Sequence, residues 1–180
     1  MDKQDLSISI LAANIYGTIA GLLPTLVIVA LFSLRWLGRI VPQGSLSFQG
    51  TGGFLLFLAV LVVGIVVHEG LHALGWILFA GQARDTIKFG FKQLTPYAHA
   101  RQPMPITGYR LAILLPGLLL GIVPALVAIA TGSTFLLAVG VFFTFTAGGD
   151  FLILWLLRRV PRSARVQDHP ERVGCYVYHL

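Results

Sequence analysis

The chain has 180 residues, the length of one ordinary domain, yet 56% of them are hydrophobic and only 11% charged, where a soluble domain carries about 25%. That composition excludes a disordered chain and a water-soluble globule, and the lone cysteine, Cys175, excludes a disulfide scaffold. The net charge of +6 does not call for nucleic acid as a partner: thirteen basic side chains set between apolar blocks suit the loops of an integral membrane protein surrounded by lipid.

Crossing a hydrocarbon layer of about 30 Å as helix takes about 20 apolar residues. Four runs qualify, at residues 11–34, 53–80, 111–130 and 135–157. They are continuous rather than alternating, so the expected fold is an all-α membrane protein of four transmembrane helices. Residues 1–180 are read as a single membrane domain, with an inner loop at 81–110 and a tail at 158–180. Asp2 and Asp5 spoil the positive start of a signal peptide, so the first span is expected to be retained. Gly17/Gly21 and Gly117/Gly121 are small-xxx-small pairs through which helix backbones can approach closely.

The basic residues orient the bundle. With both termini cytoplasmic, eleven of them lie inside and two, Arg35 and Arg39, outside. That asymmetry obeys the positive-inside rule for a multi-pass protein of the cell membrane with an even number of spans. Trp76 and Trp155 are expected near the inner ends of the second and fourth spans, and Trp36 near the outer end of the first, as interfacial aromatics.

The second span carries His68-Glu69-Gly70-Leu71-His72, an H-E-x-x-H segment. Positions i and i+4 share one face of a helix, about 6 Å apart along the axis, so His68 and His72 can bind one Zn2+ ion. The intervening Glu69 can reach a metal-bound water as general base. The alternative is a structural polar cluster or proton relay, since ionisable groups within a span need a partner or a purpose.

A catalytic zinc takes three protein ligands and keeps one open position. Asp150, the only other carboxylate within a span, precedes Arg158 by eight residues, as His72 precedes Ala80. On parallel helices that spacing places both about 12 Å from the inner boundary. Asp150 is therefore expected as third ligand, with pairing to Arg158 or Arg159 as the alternative. His99, in the inner loop, competes for the same place.

In the inner loop, Thr86 to Lys92 alternates with a strand period and Gln93 to Pro96 suits a turn. A short cytoplasmic β-hairpin beneath the metal site is expected, returning through Tyr97 to Arg101. Its edge can hold an extended peptide by backbone hydrogen bonds; a solvated hairpin that merely closes the loop is the alternative. The basic, proline-marked tail is expected to form a short cap or a lipid-headgroup contact.

These segments resemble the bacterial membrane family described as putative zincin peptidases and, more distantly, the site-2 proteases. The resemblance rests on His68-Glu69-Gly70-Leu71-His72, Ile87-Lys88-Phe89-Gly90-Phe91 and Pro96-Tyr97-Ala98-His99. Gly149-Asp150, Asp168-His169-Pro170 and Gly174 extend it, over roughly residues 52 to 178. Site-2 proteases carry the aspartate before a glycine, whereas here glycine precedes Asp150. The resemblance implies hydrolysis of a peptide or membrane-protein substrate at or within the bilayer. A metal-ion or proton-coupled transporter is the first rival, but it would want more carboxylates than the two within these spans. A non-catalytic adaptor with a structural metal is the second.

Overall fold

A computed structural model of the chain describes residues 2–40, 50–92 and 95–179. Strand β1 (Asp2–Ile8) leads into α1 (Ile10–Trp36), whose first turn is capped by the Ser9 hydroxyl accepting from Ala12 N. Helix α2 (Gly50–Ala80) follows, then a hairpin of β2 (Ile87–Lys92) and β3 (Thr95–Ala100). The hairpin was expected within a residue or two of these bounds, and part of its turn, Gln93 and Leu94, lies outside the described residues. After the short β4 (Met104–Pro105) comes one helical rod, α3 (Ile106–Pro116), a π-helical stretch at Gly117–Ile122, and α4 (Val123–Thr131). Pro124 has no amide proton to return to the preceding turn, which is where the regular ladder gives way. Gly132, at φ 79°, ends the rod, and Ser133 caps α5 (Thr134–Thr146).

Among the described residues, three helices are long and apolar enough to cross a membrane: Ile10–Trp36, Gly50–Ala80 and Ile106–Thr131. The run at 135–157 is two helices, α5 and α6 (Gly148–Leu157), bent by 43° at Ala147 and long enough only when counted together. Large apolar side chains cover the outside of the rods; Leu55, Val62, Val66 and Leu78 of α2 are all more than half exposed. Water would not tolerate so continuous a patch.

The protein is not all-α. Strands β5 (Arg165–Asp168) and β6 (Val173–His179) form an antiparallel sheet in the order β1-β6-β5-β4. The tail is thus not a simple cap. Its alternation buries Val166, Cys175 and Val177, and β1 pairs along it from Asp2↔His179 to Ile8↔Val173. The first and last strands of the chain therefore lie side by side at one end of the bundle.

The main core sits at that end, where Trp76, Tyr109, Met104, Ile106, Leu157, Val166 and Val177 are all but fully buried. Trp76 is accordingly not an interfacial aromatic. Its ring stacks between His72 and Tyr109, at centroid distances of 6.0 and 6.4 Å, because α3 packs closely on this face of α2. Trp155 does stay exposed, under the Arg158 guanidinium at 3.6 Å. Trp36 donates from Nε1 to Ile129 O at 3.0 Å. Both small-residue pairs lie at helix contacts: Gly17 and Gly21 on Gly149 and Phe145, Gly117 and Gly121 on Ala147 and Thr144.

Candidate metal centre

His68 and His72 lie one turn apart on α2, with ring centroids 4.9 Å apart. Asp150, in the first turn of α6, faces both of them. Its Oδ2 lies 3.1 Å from His68 Nε2 and its Oδ1 3.3 Å from His72 Nε2. One donor atom from each residue falls within 4.8 Å of the others.

Two close helix contacts set this geometry. Gly75 lets α2 press on α3, where an added Cβ would sit only 2.6 Å from Ala112 Cα. That approach brings Ala112 O to 3.1 Å from His72 Nδ1. With Nδ1–H donating to the carbonyl, Nε2 carries its lone pair towards Asp150, the arrangement that orients a metal-binding imidazole. On the other side, a Cβ at Gly148 would collide with Gly17 O, so glycine is what lets the start of α6 lie against α1.

The donors fit a cation. Asp150 Oδ2 is buried and makes no hydrogen bond, although an imidazole nitrogen lies only 3.1 Å away. Two imidazole nitrogens and a carboxylate oxygen converging on one point are the donor set of a three-ligand zinc site. Arg158 and Arg159 do not pair with Asp150 among the described residues, and His99 lies elsewhere: its Nδ1 is 3.9 Å from Asp168 Oδ2.

Glu69 accepts a 2.7 Å hydrogen bond from Ala98 N of β3. Glu69 stands eleven residues before the end of α2 at Ala80, about 16 Å at helical rise. The hairpin therefore folds back along α2, beside the site rather than beneath it. Ala100 N, the next amide on that strand edge, donates to Asp168 Oδ2 at 2.8 Å, and the Tyr109 hydroxyl donates to Asp168 Oδ1 at 2.6 Å. Both amides of the β3 edge are thus already engaged, so a peptide docking there must displace a carboxylate.

Burial is the largest influence on Asp168 and holds its carboxyl above the ordinary value, against these two hydrogen bonds. The Ala112 carbonyl and the Tyr109 hydroxyl escaped sequence reasoning because neither has a motif; Asp168 was visible only as part of a tail segment. His169, beside it, accepts from Glu171 N and Arg172 N at Nδ1 and shapes the β5–β6 turn. The His68, His72 and Asp150 cluster, the hairpin and the turn line an open cavity of about 900 Å³.

Residues 60–165, more than half of the chain and containing both histidines, Glu69, the hairpin and Asp150, match the family described as "Putative zincin peptidase". The chain belongs to that family. The match leaves out α1 and the Asp168-His169-Pro170 turn. The chain is also 28% identical, over 146 residues, to the "Uncharacterized 24.7 kDa protein in gap 5'region" of Pyrococcus woesei. That alignment covers 79% of this chain and 62% of the relative, so the chain spans less than two thirds of that protein's length. No solved structure matches significantly. For a member of a zincin peptidase family, zinc is the implied metal, and the His68, His72 and Asp150 cluster is a possible site for it.

Proposed function

We propose that the protein is a membrane-embedded zinc metallopeptidase in which His68, His72 and Asp150 hold the metal and Glu69 is the general base. The observation that carries this reading is the convergence of one donor atom each from His68, His72 and Asp150 within 4.8 Å, beside Glu69 on the wall of a cavity of about 900 Å³. Zinc, when bound, supplies a Lewis acid for the scissile carbonyl and a more acidic water. The protein's own groups do the rest. Ala112 O fixes the His72 ring, Asp150 brings a negative charge to the cation, and Ala98 N holds the Glu69 carboxylate in place. Glu69 takes the proton of the attacking water on a carboxylate oxygen and returns it to the leaving amine.

Support for membrane embedding comes from the exposed apolar rods and from the sheet, which sets β1 beside β6. Counting the bent α5–α6 pair as one span gives four crossings, which returns the chain to the side where it began. The eleven basic residues make that side the cytoplasmic one. Lipid then surrounds the rods, and the substrate is a peptide or a membrane protein reaching the cavity from the inner face.

Glu69→Gln tests the assignment. The variant keeps the shape and an acceptor for Ala98 N but cannot take a proton. It is expected to remain folded and zinc-loaded, with peptide cleavage lowered by at least about 10². Full activity in the variant would remove Glu69 from the reaction, whereas loss of zinc with activity would make it structural.

A further inference from the structure

The mouth of the cavity carries charges that the proposed hydrolysis does not use. Lys88 on β2, Arg101 after β3 and Arg172 in the β5–β6 turn line it, and all three are exposed. Among the described residues, none of these cations forms an ion pair; the four close charge contacts all belong to histidines. The cavity's carboxylates are mostly engaged elsewhere: Glu69 by Ala98 N, Asp150 by the two imidazoles, Asp168 by Tyr109 and Ala100 N. Glu171, beside Arg172, is the one exposed acid on the lining. Asp5 lies just outside the lining, 3.7 Å from His169 and within reach of the Arg172 charge, so Lys88 and Arg101 are the cations of this basic rim farthest from these exposed acids.

Such a rim discriminates. The cytoplasmic flanks of membrane proteins are enriched in Lys and Arg, and like charges meeting at a mouth repel. From this we infer that the rim formed by Lys88, Arg101 and Arg172 selects substrates with Asp or Glu residues next to their hydrophobic segment and disfavours the commoner basic flank. The inference rests on the peptidase reading and names its substrate class. Exposed charges act over about 8 Å at physiological ionic strength, so the selection weakens as salt rises.

The test uses full-length Glu69→Gln protein in zwitterionic nanodiscs and three fluorescent peptides. These share one 20-residue Leu/Ala segment and differ in a four-residue flank of Glu, Gln or Lys. Glu-flanked peptide should bind at least about tenfold tighter than Lys-flanked peptide at 50 mM salt, and within about twofold at 0.5 M. The added reversals Lys88→Glu, Arg101→Glu and Arg172→Glu together should invert the order, with zinc content unchanged as the check on folding. Equal binding of the three peptides, or an order that the reversals leave intact, overturns the inference. So does a wild type that shows no peptide order but gathers on phosphatidylglycerol vesicles through these residues, since the rim would then serve headgroups. Cleavage of the Gln-flanked peptide by wild type runs in parallel. Cleavage without a binding order sinks the selectivity alone, while ordered binding without cleavage sinks the peptidase and leaves the acidic-peptide site standing.

Discussion

Two half-buried aspartates lie on the wall of one cavity, and they are built differently. Asp168 has both oxygens satisfied, by the Tyr109 hydroxyl at 2.6 Å and Ala100 N at 2.8 Å, and so ties α3, β3 and β5 together. Asp150 faces two imidazole nitrogens at 3.1 and 3.3 Å and leaves Oδ2 without a hydrogen bond. A buried carboxylate that is fully hydrogen-bonded acts as a clamp. One with an oxygen left unsatisfied among other donors is what the proposed zinc site requires. Residue type and burial do not separate the two; the partners do.

Removing each carboxylate breaks the comparison most directly. Asp150→Ala should weaken zinc binding by more than the roughly 10–100-fold typical of losing an outer-shell partner, whereas His99→Ala should leave it intact. Zinc titration of detergent-purified variants reads both. The opposite result would move the third ligand to His99 and reduce Asp150 to a structural group.

The outer shell comes next. Gly75→Val forces α2 away from Ala112, so His72 loses the carbonyl that orients its ring. Zinc affinity should fall by about 10–100-fold although no ligand changes. An unchanged affinity would mean that the ring is held by something other than Ala112 O.

Asp168→Asn sharpens the other half. Its amide can satisfy Tyr109 but cannot accept from both partners, so the variant should lose about 1–3 kcal/mol of stability and keep its zinc. The raised carboxyl value adds a pH signature. Between the ordinary carboxyl range and the higher folded value the unfolded chain releases its proton first. Asp168 therefore makes its full contribution below the unfolded value and loses it as pH rises through the folded one. Denaturation measured across that window should show wild-type stability declining with pH and a flatter Asn variant.

The smallest effect is local. Burial, with the nearby Asp168 and Asp5 charges, pushes the Cys175 thiol up to about 12. Iodoacetamide at pH 8 should leave it untouched in folded protein and alkylate it after denaturation. Ready modification of the folded form would mean that the sheet over it opens.

Much of this was legible along the chain because it repeats locally. Hydrophobic runs mark the three long rods, the alternation of Ile87, Phe89 and Phe91 marks β2, and the spacing of His68 and His72 follows from one turn of helix. Helical rise even placed Asp150 at the depth of His72. Choosing between Asp150 and His99 as the neighbour of the histidines took the tertiary structure, since helical rise fixes height along an axis and not which side chain faces across. The four-stranded sheet was hidden for a related reason: β1 and β6 stand at opposite ends of the sequence, and nothing in either short, polar-dotted strand announces its partner. Trp76 was misplaced because α3, with Tyr109 stacked on the ring, turns a membrane-facing side chain into a core one. The 43° bend at Ala147 was likewise invisible, because a run of apolar residues reads the same straight or broken. Local periodicity is a property of consecutive residues; the pairings that aim Asp150, Glu69 and Asp168 join residues 29 to 82 positions apart, through contacts that no local pattern encodes.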